Sequence, residues 1–300
     1  MHRELDLLRR QQEGVFSRQQ ALRFHSAAYL TNKVREGKWT KILPGIFTLQ
    51  GTSPTTRVRI RAAALYLGRE VIVTHQTAAE VHGFAIFNDS STHILMPPGR
   101  RLTTAGLTAH RDIVSSSDIQ CVSNNLVTSP ARTAVDLALQ YDRLDGLAIL
   151  DRAIRAHRNR SAPATLEELL AQVSRIAGKK GARKVRELLA IADPGAASPM
   201  ESRVRLRCLD AELPRPDTQV RVHTPEGDKF LDLGWREYRI GLEYDSVQHH
   251  SGSDAVRRDY RRHNAISDSG WLLFYATAEQ VRLRPWEFTE PIRRAIRRRS

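Results

Sequence analysis

Cysteine is nearly missing from this 300-residue chain: Cys121 and Cys208 stand far apart, without metal-ligand spacing. A disulfide framework or a thiolate zinc site therefore does not fit, and a reduced, cytoplasmic protein does. Long apolar runs are missing too, so no segment is expected to cross a membrane. The opening MHRELDLLRRQQEG lacks the apolar stretch of a secretion signal. There is no phosphate-binding loop and no Gly-rich dinucleotide fingerprint, hence no expected nucleotide cofactor. Acidic residues are in deficit, with 33 Asp and Glu against 47 Lys and Arg, a formal charge of +14. That excess points to a polyanion partner, nucleic acid before an anionic membrane surface. The hydrophobic fraction of 41% is that of a globular protein, and the length allows two or three domains with cores of their own.

The charge is clustered, and three regions carry it. Residues 1–50 read as three short helices and a hairpin. MHRELDLLRRQQ has helical spacing, Ser17 can cap RQQALRF, and Ser26 can cap AAYLTNKVREG, which Gly37 ends. KWTKILPGIFTL then gives two strands around a Pro-Gly turn. This order is that of a winged helix-turn-helix DNA-binding domain. Its third helix would enter the major groove with Tyr29, Asn32 and Lys33, while Lys38 and Lys41 on the wing meet the phosphate backbone. A polar helix face is also what a merely solvated helix shows, and the helix order plus the wing favours DNA.

Residues 54–193 read as an α+β middle region. TRVRIRAAALYLG predicts a helix, EVIVTHQTAAEVHGF a strand and a helix, HILMPPGR and LTAHRDIV strands, and Ser129-Pro130 a helix start. Two helices flank Gly178-Lys179-Lys180-Gly181. His75 and His82 lack partners at ligand spacing and read as structural or surface residues. Positioning the flanking domains, or self-association into a homodimer, is the expected role.

Residues 198–300 read α-β-β-β-α-β-α, with the first three strands antiparallel. Ser198 caps a helix whose N1 residue is Pro199 and whose Glu201 is placed to reciprocate in a capping box. Asp232 sits near the end of the second strand, and GLEYDSVQHH puts Glu243 and Asp245 on one face of the third. Two like charges on one face require compensation. With Asp232 brought across by antiparallel pairing, and His249 and His250 beside them, these carboxylates suit Mg2+ or Mn2+. Either histidine can then serve as base, ligand or donor to a phosphate. Arg257, Arg258, Arg261 and Arg262 crowd one helix, and five more arginines crowd the last, where phosphates are the expected partners.

Two resemblances follow from these residues. HSAAYLTNKVREGKWTKILPGIFTL resembles the N-terminal domain of AbiEi-like antitoxins of type IV toxin–antitoxin systems, and THQTAAEVHGF and TSPARTAVDLA resemble the region that follows the winged helix in those proteins. This implies an operator binder, often autoregulating, with a nucleotidyltransferase-type toxin gene as neighbour. ESRVRLRCL, FLDLGW, LEYDSVQHH, RRDYRRHNAI and GWLLFYAT resemble a PD-(D/E)XK nuclease domain of the Vsr-like branch. This implies Asp232 as first metal ligand, Glu243 and Asp245 as the E-x-D pair, and His250, with His249, as catalytic histidine. Glu201 joins the candidate catalytic set. Ser246 stands where that branch commonly has Gly, which puts activity in doubt if the backbone there needs φ > 0. The expected fold class is α/β multi-domain. The expected function is DNA binding with metal-dependent endonuclease activity, and the alternative is a non-catalytic AbiEi-like autorepressor.

Overall fold

The computed structural model describes residues 2–99, 102–156, 160–245 and 253–300. It divides into two compact units, Met1–Leu137 and Ala138–Ser300. The first begins with α1 (Arg3–Gln11), β1 (Val15–Ser17), α2 (Arg18–Leu22), α3 (Ala27–Arg35), β2 (Trp39–Leu43) and β3 (Ile46–Leu49). Both serine caps form as expected: Ser17 closes a capping box with Gln20, and Ser26 accepts the Tyr29 N–H at 3.2 Å. Gly45, at φ +72°, completes the turn after Pro44. Strand β1 went unforeseen because three residues are too short to show a period. It adds to the hairpin in the order β1-β3-β2, all antiparallel. Phe16 thereby meets Trp39 edge to face, 4.8 Å between centroids, in a core shared with Leu5, Leu30 and Phe47.

The unit continues with α4 (Thr56–Leu67), β4 (Ile72–Val73), α5 (His75–His82), β5 (Thr92–Met96), β6 (Leu107–Arg111), β7 (Ile119–Val122), β8 (Asn125–Thr128) and the start of α6 (Pro130–Gln140). The strands make one mixed sheet in the order β6-β5-β4-β8-β7, with β5/β6 and β4/β8 parallel. Val58, Ala62 and Ala63 of α4 pack with Val73, Ile94 and Val127 of this sheet and with Val15, Leu43 and Ile46 of the smaller one. The two sheets of this unit therefore share one core.

The second unit contains α7 (Arg143–Ile154), α8 (Leu166–Arg175), α9 (Ala182–Leu189), α10 (Pro199–Asp210), β9 (Asp217–Thr224), β10 (Gly227–Trp235), β11 (Ile240–Asp245), α11 (Ser253–Asp268), β12 (Leu272–Thr277), α12 (Ala278–Leu283) and α13 (Trp286–Arg299). Its sheet runs β12-β11-β10-β9, with β9, β10 and β11 antiparallel and β12 parallel to β11. The expected order is present, with α12 inserted before the last helix. Leu233, Ile240, Leu242 and Ala276 face α10 and α13, while Val220, Val222 and Leu231 pack with Ile266 of α11.

Helix α10 also packs on α7, and there the contact is ionic. Arg203 Nε donates to Asp145 at 2.7 Å, and Arg205 donates to Asp151 at 2.7 Å and to the Ile191 carbonyl at 2.6 Å. Arg205 is fully buried, and its Nε has no partner among the described residues. Removing one member of such a pair leaves an uncompensated buried charge. Arg205→Leu should therefore destabilise this unit by about 3–5 kcal/mol, and Arg205→Leu with Asp151→Leu should recover a large part. Urea denaturation of the two variants checks this; a double variant no better than the single would contradict it.

Candidate nucleic-acid interface and carboxylate cluster

Helix α3 presents Asn32 to solvent, with Thr31, Arg35 and the half-buried Lys33 beside it. Only Leu30 of its apolar residues is buried, and Val34 remains 37% exposed. Tyr29 is turned partly inward, stacked on His25 at 4.2 Å and edge-on to Trp39. Lys33 lies 5.1 Å above the Tyr29 ring and pairs with Glu36 at 3.1 Å. Lys38 reaches the same carboxylate at 3.0 Å. Hydrogen bonds from Lys38 and then Lys33 hold the Glu36 carboxyl below its ordinary pKa. Asn32, Lys33 and Lys38 thus lie within a few residues of one another, and Lys41 projects from β2 as an exposed side chain.

The second unit brings its acidic residues together. The β10/β11 register pairs Leu233 with Leu242, which places Asp232 opposite Glu243. Asp232 Oδ2 accepts the Tyr244 N–H at 2.9 Å. On the other side, the β9/β10 register places Asp232 opposite Gln219. Gln219 has φ +50°, a left-handed conformation that strains a non-glycine residue in a strand. Its Nε2–H donates to Glu201 Oε2 at 3.1 Å. Burial, together with the charges of Glu201 and Glu243, raises the Asp232 carboxyl to about 6. Three carboxylates from α10, β10 and β11 therefore interact electrostatically, with Glu201 beside Asp232 and Glu243 where the sequence reading places Asp245.

Their partners are less expected. The Glu201 side chain does not reciprocate with Ser198; it accepts the Ala197 N–H at 2.7 Å, so only the serine half of the capping box forms. Arg262, expected at the DNA backbone, grips both oxygens of the buried Glu243, one at 2.7 Å, and donates to the Phe230 carbonyl at 2.7 Å. Those hydrogen bonds raise the Arg262 pKa further above its ordinary value. Gln219 was missed because its role depends on backbone strain that no sequence pattern announces.

Arg257 and Arg261 are exposed on α11. The Arg258 side chain, Ser246, His249 and His250 lie outside the described residues. In α13, Arg293 donates to the Ala211 carbonyl, and Arg299 to those of Tyr238, Arg239 and Gly270. Both arginines bond to carbonyls of their own domain, Arg293 half-buried and Arg299 at the exposed surface.

An all-oxygen donor set is what Mg2+ or Mn2+ would take. Among the described residues, however, no group of three or more His, Cys, Asp or Glu side chains is disposed to hold a metal ion. Glu243 is committed to a guanidinium, so the described residues do not fit a metal centre in this arrangement. Nor, among the described residues, is any helix long and apolar enough to cross a membrane.

Comparison with known proteins adds two findings. Residues 71–191 match the AbiEi antitoxin C-terminal domain family. An uncharacterized protein of Mycobacterium tuberculosis, found in two strains, is 32% identical over 267 residues, covering 89% of this chain and 95% of its own length.

The raised Asp232 pKa has a consequence for stability. A carboxyl at about 6 when folded and 3.8 when unfolded binds its proton more tightly in the native state. The associated stability is present below about pH 4 and lost as pH rises to about 6, a change of order 3 kcal/mol. Asp232→Asn should therefore stabilise the protein at pH 7.5 and have little effect at pH 4. Melting temperatures of both proteins across that range test it, and a pH-independent difference would refute the assignment.

Proposed function

The chain belongs to the family of the mycobacterial protein, and from the antitoxin-domain match within it we propose that it is a DNA-binding antitoxin of the AbiEi type. The observation that carries this reading is the antitoxin-domain match at residues 71–191, preceded by an α3 face with Asn32 exposed and Lys33 beside it. In this reading residues 1–50 act as a winged helix. Helix α3 enters the major groove, where Asn32 reads adenine and Lys33 a guanine or a phosphate. Lys38 and Lys41 hold the backbone on the wing side. The operator lies upstream of the protein's own gene, and the partner is a nucleotidyltransferase-type toxin.

The second unit supports DNA holding in the same reading. Its order α10-β9-β10-β11-α11-β12 is that expected of a PD-(D/E)XK domain, and Arg257 and Arg261 stand exposed on α11. Arg262 neutralises Glu243 from within, so this domain contributes surface charge rather than cleavage. A second reading, a Mg2+- or Mn2+-dependent endonuclease, is favoured by one observation, the convergence of Glu201, Asp232 and Glu243 that lifts the Asp232 pKa.

One experiment separates the two readings. A DNA fragment from upstream of the gene is titrated with the full chain and run on a native gel, alongside supercoiled plasmid incubated with Mg2+, Mn2+ or EDTA. The fragment should shift and the plasmid stay intact. Asn32→Ala with Lys33→Ala should weaken operator binding by about 10- to 100-fold, the size of a lost base contact. Metal-dependent nicking abolished by Asp232→Asn would establish the nuclease reading, and loss of sequence preference would overturn the operator reading.

A further inference from the structure

The first unit contains a cavity of about 710 Å³, within the size range of small-molecule sites. The β2 strand forms one wall, with Thr48 of β3. The rest of the lining comes from the 52–56 segment, the first turn of α4, Glu80 of α5, the 88–92 segment and Gly106. Of its lining residues, the antitoxin reading uses Lys41 alone.

The charges around this cavity are unequally satisfied. Arg59 pairs with Glu80 and donates to the carbonyls of Asp89 and Ser91 at 3.0 and 2.9 Å. Thr56 donates to the same Glu80 oxygen at 2.7 Å. The Asp89 carboxylate accepts the Ser91 N–H at 2.8 Å and the buried His93 Nε2–H at 2.8 Å. Because a carboxylate only accepts, that contact fixes the His93 proton on Nε2 when the ring is neutral. Nδ1 then accepts from His110 Nε2 at 2.8 Å. Glu80 is thus paired with a guanidinium, and the Asp89 carboxylate is hydrogen-bonded within the protein.

Lys41 is different. Among the described residues no carboxylate lies within ion-pair distance of its ammonium, and the hydroxyls of Thr40, Thr52 and Ser90 and the Asn88 amide also lack protein partners there. These unengaged groups share one cavity with the apolar edges of Ile42, Leu43 and Pro54. A single cation among neutral donors suits one anionic group. A polyphosphate would carry several charges past two carboxylates and meet only one lysine.

We infer that this cavity binds a small organic anion bearing one charged group, a carboxylate or a phosphate monoester, with the charge on Lys41 and the body against Ile42, Leu43 and Pro54. Lys41 belongs both to this cavity and to the DNA-facing wing of the proposed function. On that reading the ligand and the operator compete for it, so the anion would release DNA.

Calorimetric titration of the full chain, with no DNA present, tests the site independently of the operator reading. The probes are AMP for a phosphate monoester, benzoate for a carboxylate, and inorganic phosphate for charge alone. AMP or benzoate should bind with Kd below about 1 mM, and inorganic phosphate at least tenfold more weakly. Lys41→Met should weaken the bound probe at least tenfold. Asn88→Trp, at an exposed loop position, should block it by filling the cavity while leaving operator binding unchanged. Failure of both organic probes, phosphate binding as tight as theirs, or indifference to both substitutions would overturn the inference.

Discussion

An arginine laid against a buried or half-buried carboxylate is the contact on which both units depend. Arg59 with Glu80 ties α4 to α5 in the first unit, and Arg132 gathers Asp112, Asp118 and Asp136 around the start of α6. Arg203 with Asp145 and Arg205 with Asp151 join α10 to α7 in the second, and Arg262 with Glu243 joins α11 to β11. The planar, weakly hydrated guanidinium suits this work because it satisfies several acceptors at once. Such pairs add little net stability when made, yet cost several kcal/mol when half removed. They therefore specify which helix meets which strand more than they strengthen the fold.

This qualifies what the charge of +14 means. Read along the sequence, the arginines look like one reservoir for phosphate. In space they divide. Arg132, Arg203 and Arg205 are buried, and Arg293 and Arg299 hold backbone carbonyls. Arg257, Arg261, Arg294, Arg297 and Arg298 remain exposed. These exposed guanidinium groups contribute to the positive field at the protein surface.

What could be read in advance follows the range of each interaction. Caps and turns are local, so Ser17, Ser26, Ser198 and Pro44-Gly45 announced their elements. The second unit's strand order was legible because short turns dictate antiparallel neighbours. The convergence of Asp232 with Glu243 followed from that pairing. Strand β1 was too short to have a period, and the parallel pairing of β5 with β6 needs knowledge of the whole sheet. Partner choice was least legible. Glu201 has the spacing of a capping box, but Gln219 and the Ala197 N–H claim its side chain. Arg262 sits in a run of arginines that a linear reading cannot tell apart, and only the helix docking selects it for Glu243.

The same distinction separates the two candidate sites by what each can give up. Lys33 and Lys38 share Glu36 at the protein surface, where ion pairs are worth little and solvent competes for both partners. A phosphate can replace that carboxylate at small cost, so the pairing pre-orients the lysines without withholding them. Glu243 is buried, its guanidinium partner is bidentate, and Arg262 also holds the Phe230 carbonyl. Displacing Arg262 would strand a carboxylate and open a backbone acceptor together. The surface pairing at Glu36 can therefore be exchanged at small cost, whereas the buried pairing of Glu243 with Arg262 cannot.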